Sequence, residues 1–359
     1  MHLLYQPMNT IQATTYPVHF SDKAYQELNL YLKENTYSSI FILVDDNTFE
    51  CCYPKFIQRL ETDLKIELIQ IDPGEIHKNL DTCLGVWNVM TELGADRKSL
   101  LITLGGGVIT DLGGFVASTF KRGIDFINIP TTLLSMVDAS VGGKTGVDLG
   151  VLKNQIGVFA NPQMVIVDPE YLHTLDPREI RSGTAEIIKY GMTHDIRLFN
   201  QIKDNTELNI VDLIHRSVEI KNEVVTEDPK EKGLRKVLNW GHTIGHAVES
   251  YFLDAEHKEN LTHGEAIAIG MVCEAYLSSR ILNFPEEKIA EIKNAIVNIY
   301  GKIEILPEDI NPIMALLIHD KKNEAGIVKF VLLNDYEDFE LSCEASEELI
   351  RESINFYIN

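Results

Sequence analysis

Five short β-rich runs in the first half of the chain alternate with helical patterns, and that alternation limits the fold more than any other feature. The runs are 39–44 (SIFILV), 66–71 (IELIQI), 99–104 (SLLITL), 126–129 (FINI) and 164–167 (MVIV). Strands separated by helix-length segments pair in parallel, because a parallel pair needs a long crossover, so they predict a parallel sheet covered by helices. From about Pro177 the periodicity is helical, over 179–190, 210–225, 240–251, 265–282 and 286–300. One late apolar run, 326–333 (GIVKFVLL) beside Asp335, predicts a small hairpin among those helices. The boundary falls at Asp176-Pro177, since the residue before proline avoids the α conformation. The expectation is an α/β nucleotide-binding domain with a parallel sheet over 1–176 and a mainly α-helical domain, holding metal and substrate, over 177–359.

Charge narrows the partners. With 32 Lys+Arg against 54 Asp+Glu the formal charge is −22, which repels nucleic-acid phosphates and anionic membranes. An anionic substrate therefore needs a local basic pocket. The N-terminal stretch lacks a basic start with an apolar core, and no later run approaches the roughly 18 apolar residues of a spanning helix. The cysteines, 51, 52, 83, 273 and 343, are odd in number and form no C-x-x-C, which argues against a disulfide framework or a cysteine zinc site and for a reducing compartment. We expect a soluble, cytoplasmic protein.

Several segments carry chemistry. The run 100–104 leads into Gly105-Gly106-Gly107 and then VITDLGG, with Asp111: a strand, a glycine turn and a helix start. Glycines let backbone N–H groups approach a phosphate and the helix terminus adds positive potential, although the same turn also serves close packing. Asp45-Asp46-Asn47 ends the first of these strands, where ribose hydroxyls are caught in open α/β sheets or where a helix is capped. Pro73-Gly74-Glu75 with Lys78 suits a cofactor contact or a solvated turn. The stretch 131–154 gathers Asp138, Lys144, Lys153 and Asn154 around Gly142, Gly143 and Gly146, a loop composition that suits a phosphorylated substrate.

Three further pieces read as a metal site. Glu186 and Lys189 share one helix face, His242 and His246 another, and His263-Gly264-Glu265 opens a third helix. One carboxylate with two imidazoles is a zinc set that leaves a coordination position open. The glutamate of H-E-x-x-H is lacking, which argues against a metalloprotease. Lys121-Arg122, Lys221, Arg235 ahead of Asn239, and Lys321-Lys322 are the remaining basic candidates, each by itself readable as a solvated side chain.

Taken together, GGGVITDLGG, RGIDFINIPTTLLSMVDASVGGKTGVDLGVLKNQIG, REIRSGTAEIIKYG, LNWGHTIGHAVE and HGEAIAIGM closely resemble the 3-dehydroquinate synthase family, over about residues 40–335. That family uses NAD and zinc, with cobalt as a substitute, to convert 3-deoxy-D-arabino-heptulosonate 7-phosphate (DAHP) into 3-dehydroquinate and phosphate in the shikimate route to aromatic amino acids. It does so by transient oxidation, phosphate elimination, reduction, ring opening and an internal aldol, so no net NADH accumulates. The resemblance implies zinc on Glu186, His242 and His263, with His246 turned to the substrate, which replaces the pairwise reading of the two helix histidines. It implies substrate contacts from Asp138, Lys144, Asn154, Lys189, Lys221, Arg235, Asn239 and one of Lys321 and Lys322. NAD would meet Asp45, Asn47, Glu75, Lys78, Gly105, Gly106, Gly107, Asp111, Thr131 and Thr132, with Lys144 and Lys153 nearby. It further implies a homodimer in which Arg122 reaches the neighbour's substrate phosphate. Trp240 replaces the family's more common Phe, and 254–260 is longer than in some relatives.

Two rivals make different predictions. A polyol dehydrogenase of the glycerol dehydrogenase type shares the two-domain plan and a GGG-x-x-x-D turn, but leaves the 138–154 block without a role and produces net NADH. A catalytically silent nucleotide-binding protein would be expected to have lost at least one of Glu186, His242, His263, Lys144 and Arg235.

Overall fold

The structure, a computed structural model, describes residues 9–150, 152–204, 209–317 and 328–359. Its strands in chain order are β1 (Ile11–Gln12), β2 (Pro17–Phe20), β3 (Ile40–Asp45), β4 (Ile66–Ile71), β5 (Leu100–Gly105), β6 (Asp125–Pro130), β7 (Lys144–Leu149), β8 (Leu152–Phe159), β9 (Val165–Val167), β10 (Lys329–Asp335) and β11 (Asp338–Glu344). The chain divides into two units, one of 1–150, 154–176 and 210–222, the other of 151–153, 177–209 and 223–359.

In the first unit seven strands form one sheet in the order β1-β2-β9-β6-β5-β3-β4. All neighbours are parallel except β1 with β2. β5 is buried along its whole length, as a strand covered on both faces must be, and so reads as an unbroken apolar run. From β3 the chain moves to β4 on one side and then returns to β5 on the other, so the strand order reverses at β3/β5. Open α/β sheets bind ligands at the carboxyl ends of the strands beside such a reversal. Those ends here are Asp45 and Gly105, with Gly105 paired to Pro130 of β6.

Strands β7 and β8 correct the loop expected over 131–154: the segment is a helical turn, Ser135–Ala139, followed by a two-stranded sheet. Gly, Lys and Asp are poor strand formers, which hid it. The linear boundary at 176/177 also misses that 210–222 belongs to the first unit. This part of the helix Ile210–Glu227 sets the His215 ring 4.9 Å from that of Phe20, and Asn222 donates to the Gln12 carbonyl, contacts that periodicity does not encode.

The second unit is helical around His263–Leu282, which packs against His242–Asp254, Pro177–Thr193, Glu286–Tyr300 and Glu347–Ile358. A helix touched on every side is apolar nearly all round, as this one is. It starts at a capping box between Thr262 and Glu265 and ends on Asn283 in the left-handed conformation. The late hairpin is present as β10 and β11.

Candidate active site

In the first unit the polar groups collect at the carboxyl edge of the sheet. After β5 the chain turns through Gly106, the N-cap of the helix Gly107–Thr119, and no side chain caps that end. A Cβ on Gly106 would lie 2.9 Å from the Thr132 methyl, so only glycine lets the turn approach Thr132. The Thr131 N–H donates to the Gly105 carbonyl at 3.0 Å. Asp45 caps the next helix, accepting from the Thr48 N–H through Oδ1 at 2.8 Å, while Asn47 is exposed on that helix.

Lys78 is 4% exposed, so the solvated reading fails for Lys78, while Gly74 and Ile76 in the turn before it are exposed. Its ammonium donates to Asp111 Oδ2 at 2.6 Å and to Asn154 Oδ1 at 2.7 Å, with Glu75 at 3.9 Å. Burial outweighs the attraction of Lys78 and holds the Asp111 carboxyl above its ordinary range. An ammonium can only donate, so Asn154 must turn its carbonyl oxygen toward Lys78 and its NH2 elsewhere. Asn154 sits at φ +51, with its backbone N–H on Asp148 Oδ1 at 2.6 Å. Lys221 reaches both the carbonyl and the carboxylate of Asp138, at 2.6 and 2.9 Å. Lys144 opens β7 and is half-buried. Arg122 is exposed in a left-handed turn (φ 73).

The second unit holds the imidazoles. Glu186, fully buried on Pro177–Thr193, lies one turn from Lys189 and pairs with it. Its Oε1 is 3.3 Å from His242 Nε2 and 3.4 Å from His263 Nε2. The His246 ring lies 5.2 and 5.8 Å from those of His242 and His263. His242 Nδ1 is 3.1 Å from the Trp240 carbonyl, which can only accept, so that nitrogen carries the proton and Nε2 presents its lone pair. His263 Nδ1 likewise donates to Glu249 Oε2 at 3.1 Å.

Burial alone would raise the Glu186 carboxyl, but Lys189, then His242 and His263, hold it well below the usual range. Burial lowers His242 more than Glu186 raises it, leaving a neutral imidazole. At His263 burial is overcome by Glu249 and Glu186, which raise it to about 10. Neither oxygen of Glu186 accepts a hydrogen bond of ordinary geometry among the described residues. A tetrahedral ion with bonds of about 2.0–2.1 Å separates its ligand atoms by about 3.3–3.4 Å. The Glu186–His242 and Glu186–His263 separations match that spacing, and one nitrogen of each of the three histidines lies within 4.8 Å of the others. The donor set therefore fits a zinc-like cation, with either Glu186 or His246 completing the two nearer imidazoles.

In the same unit, Arg235 in the turn Leu234–Asn239 is 2% exposed and donates to the Pro229 carbonyl, and Asn239 donates to Glu231. Lys321 and Lys322 lie outside the described residues. The buried lysines and arginines among the described residues are Lys78, Lys153, Lys189, Lys221 and Arg235. Each is a residue to which the resemblance gives a role, and none is the solvated side chain that composition alone suggests. Sequence reasoning missed Glu231, Glu249 and Glu274. Glu249 could have been found, because it recurs two helical turns after His242 on the same face.

A parallel α/β unit with its polar groups at the sheet's carboxyl edge, together with a helical unit that buries a carboxylate among imidazoles, defines an enzyme of the dehydroquinate synthase-like fold class. Residues 68–182 match the family model described as 3-dehydroquinate synthase N-terminal, and 183–323 the one described as 3-dehydroquinate synthase C-terminal. The 3-dehydroquinate synthase of Parabacteroides distasonis is 41% identical over 336 residues, covering 92% of this chain and 94% of its own. That of Methylacidiphilum infernorum is 43% identical over 294 residues, 81% of each chain. In fold, the chain is similar to ValA, the 2-epi-5-epi-valiolone synthase from Streptomyces hygroscopicus subsp. jinggangensis 5008 solved with NAD+ and Zn2+ bound (TM-score 0.82, 23% identity, 98% and 99% coverage). The chain belongs to the 3-dehydroquinate synthase family.

Proposed function

We propose that this chain converts DAHP to 3-dehydroquinate with release of phosphate, using NAD and a divalent zinc-like ion. The observation that carries the reading is the burial of Glu186 within 3.3 and 3.4 Å of His242 and His263, in a chain of this family. In this reading Glu186, His242 and His263 hold the metal and His246 faces the substrate. The bound ion supplies Lewis acidity and the nicotinamide a reversible hydride acceptor.

The chain's own groups bind, orient and neutralise. A molecule of net charge −22 attracts an anionic substrate only through local cations, and burial in low dielectric makes Lys189, Lys221 and Arg235 effective at that. Lys144 and Arg235 suit the substrate carboxylate, Arg235 through a planar fork that matches two oxygens. Asn154, its carbonyl oxygen committed to Lys78, has its NH2 to donate to phosphate, alongside His246 and one of Lys321 and Lys322. Lys221, hydrogen-bonded to Asp138, and Asn239 position hydroxyls. The Gly105–Gly107 turn and the uncapped helix end behind it receive the dinucleotide pyrophosphate, with Asp45, Asn47, Glu75, Lys78, Asp111, Thr131, Thr132 and Lys153 about the rest of the cofactor.

The chain works as a homodimer in which Arg122, exposed and without an ion pair among the described residues, reaches the neighbouring phosphate. It works in the cytoplasm, consistent with five free cysteines and with no described helix long and apolar enough to cross a membrane.

The test is phosphate release from DAHP by metal-stripped protein with catalytic NAD+, with and without Zn2+, while NADH absorbance is followed. Zinc-dependent release without NADH accumulation is expected. No release from folded, metal-loaded protein would overturn the reading, and steady NADH from a simple polyol would replace it with the dehydrogenase.

A further inference from the structure

One buried carboxylate near the imidazoles has no part in the function proposed above. Glu249, 7% exposed on the helix His242–Asp254, divides its two oxygens between different partners. Oε2 accepts from His263 Nδ1 at 3.1 Å, and Oε1 lies 3.2 Å from Lys153 Nζ, itself 9% exposed. A buried carboxylate and a buried ammonium are both costly unless each has its counter-charge, so a structural accident is a poor account of the arrangement.

We infer that Glu249 is a positioning residue: it sets the orientation of His263 so that Nε2 faces Glu186, and it ties that imidazole to Lys153. The inference rests on the metal reading of Glu186, His242 and His263. The physical argument is that an imidazole has two nitrogens and a ring free to rotate. A carboxylate on Nδ1 removes that freedom, keeps the proton on Nδ1 and makes Nε2 a stronger donor. Two features make Glu249 suited to this. It sits two turns along the same helix from His242, so one rigid element presents one imidazole directly and aims the other. Its second oxygen is occupied by Lys153, so both oxygens of the buried carboxylate have a partner. A glutamine cannot do the same, because it has one acceptor oxygen for two donors and turns an NH2 toward the other.

The experiment is zinc titration of metal-stripped wild type, Glu249→Gln and Lys153→Met by calorimetry, with Co2+ absorption spectra of the same proteins and thermal melts of the stripped forms. Loss of an outer partner of a metal-bound histidine weakens metal affinity by about 10–100-fold, and that is expected for Glu249→Gln, with a changed Co2+ spectrum and an ordered stripped protein. Lys153→Met leaves the His263 bond in place and is expected to stay within about threefold of wild type. Equal zinc affinity and an unchanged Co2+ spectrum in Glu249→Gln would overturn the role while leaving the metal centre standing. A loss in Lys153→Met as large as in Glu249→Gln would also overturn it, since the effect would then be one of charge balance. Wild type that takes up no zinc would overturn the centre itself and the role with it.

Discussion

The Glu274 carboxylate accepts the backbone N–H of Gly241 at 2.6 Å, and with it those of Thr243 at 3.0 Å and Ile244 at 3.2 Å. A glutamate fully buried on one helix thus closes the amino end of the helix that carries His242. Gly241 stands at φ +81 against Met271, and a Cβ on Gly270 would run into the Gly241 backbone, so the two helices meet at glycines. The first turn bearing His242 is therefore held by a charge-assisted cap from its neighbour.

Glu274→Ala leaves three buried N–H groups without their acceptor. Each unsatisfied buried group costs about 1–3 kcal/mol, and since the turn can partly relax we expect a loss of about 2–4 kcal/mol. Urea unfolding of the metal-stripped protein reads it, and a change below about 1 kcal/mol would show that the cap is dispensable.

Metal uptake should release a proton. His263, raised to about 10, is an imidazolium at neutral pH, whereas Glu186 is held low and His242 is lowered, so both are already deprotonated. Coordination through His263 Nε2 requires that its proton leave, so about one proton per metal ion is expected at pH 7. Calorimetry in buffers of differing ionisation enthalpy counts it. The same ligand raises Tm, by the equivalent of about 2.7 kcal/mol at a hundredfold excess over Kd.

Asp309, fully buried, accepts from Tyr251 Oη and Lys258 Nζ, both at 2.6 Å, and from the Leu306 N–H at 2.8 Å. Burial would raise its carboxyl, but these partners hold it below the ordinary range. A depressed native pKa adds stability that is complete above the unfolded value of about 3.9 and is lost as pH falls through the native one. Wild type should therefore lose stability more steeply than Asp309→Asn below about pH 4, and the variant should be about 3 kcal/mol less stable at pH 7. Parallel pH profiles would refute this.

In the proposed function Arg235 binds the substrate carboxylate both before and during reaction, so Arg235→Ala should raise KM for DAHP and lower kcat. Unchanged steady-state kinetics would remove Arg235 from the site.

Thiol labelling should be selective. Burial pushes the Cys52 and Cys83 thiols up to about 12, whereas Cys51 is exposed. Thiolate is the reactive form, so native protein at pH 8 should label at Cys51 well ahead of Cys52 and Cys83, and all five cysteines should label once it is unfolded. Mass mapping of the labelled sites decides it.

Local periodicity and composition alone made the five strands 39–44 to 164–167, the late hairpin, the helices over 179–190, 210–225, 240–251, 265–282 and 286–300, and the His242–His246 pair legible, because each depends on residues close along the chain. The glycine turn after β5 was legible for the same reason. The resemblance supplied the proposed metal set Glu186, His242 and His263, which no spacing could, since three helices contribute it. Tertiary structure alone decided that Lys78, Lys221 and Arg235 are buried, that 144–149 and 152–159 form a strand pair, that 210–222 belongs to the first unit, that Glu249 bonds His263 and that Glu274 caps the helix bearing His242. The reason is physical: period and propensity act between neighbours along the chain, whereas desolvation, counter-charge and helix capping by a distant carboxylate exist only once packed elements bring remote residues within bonding distance.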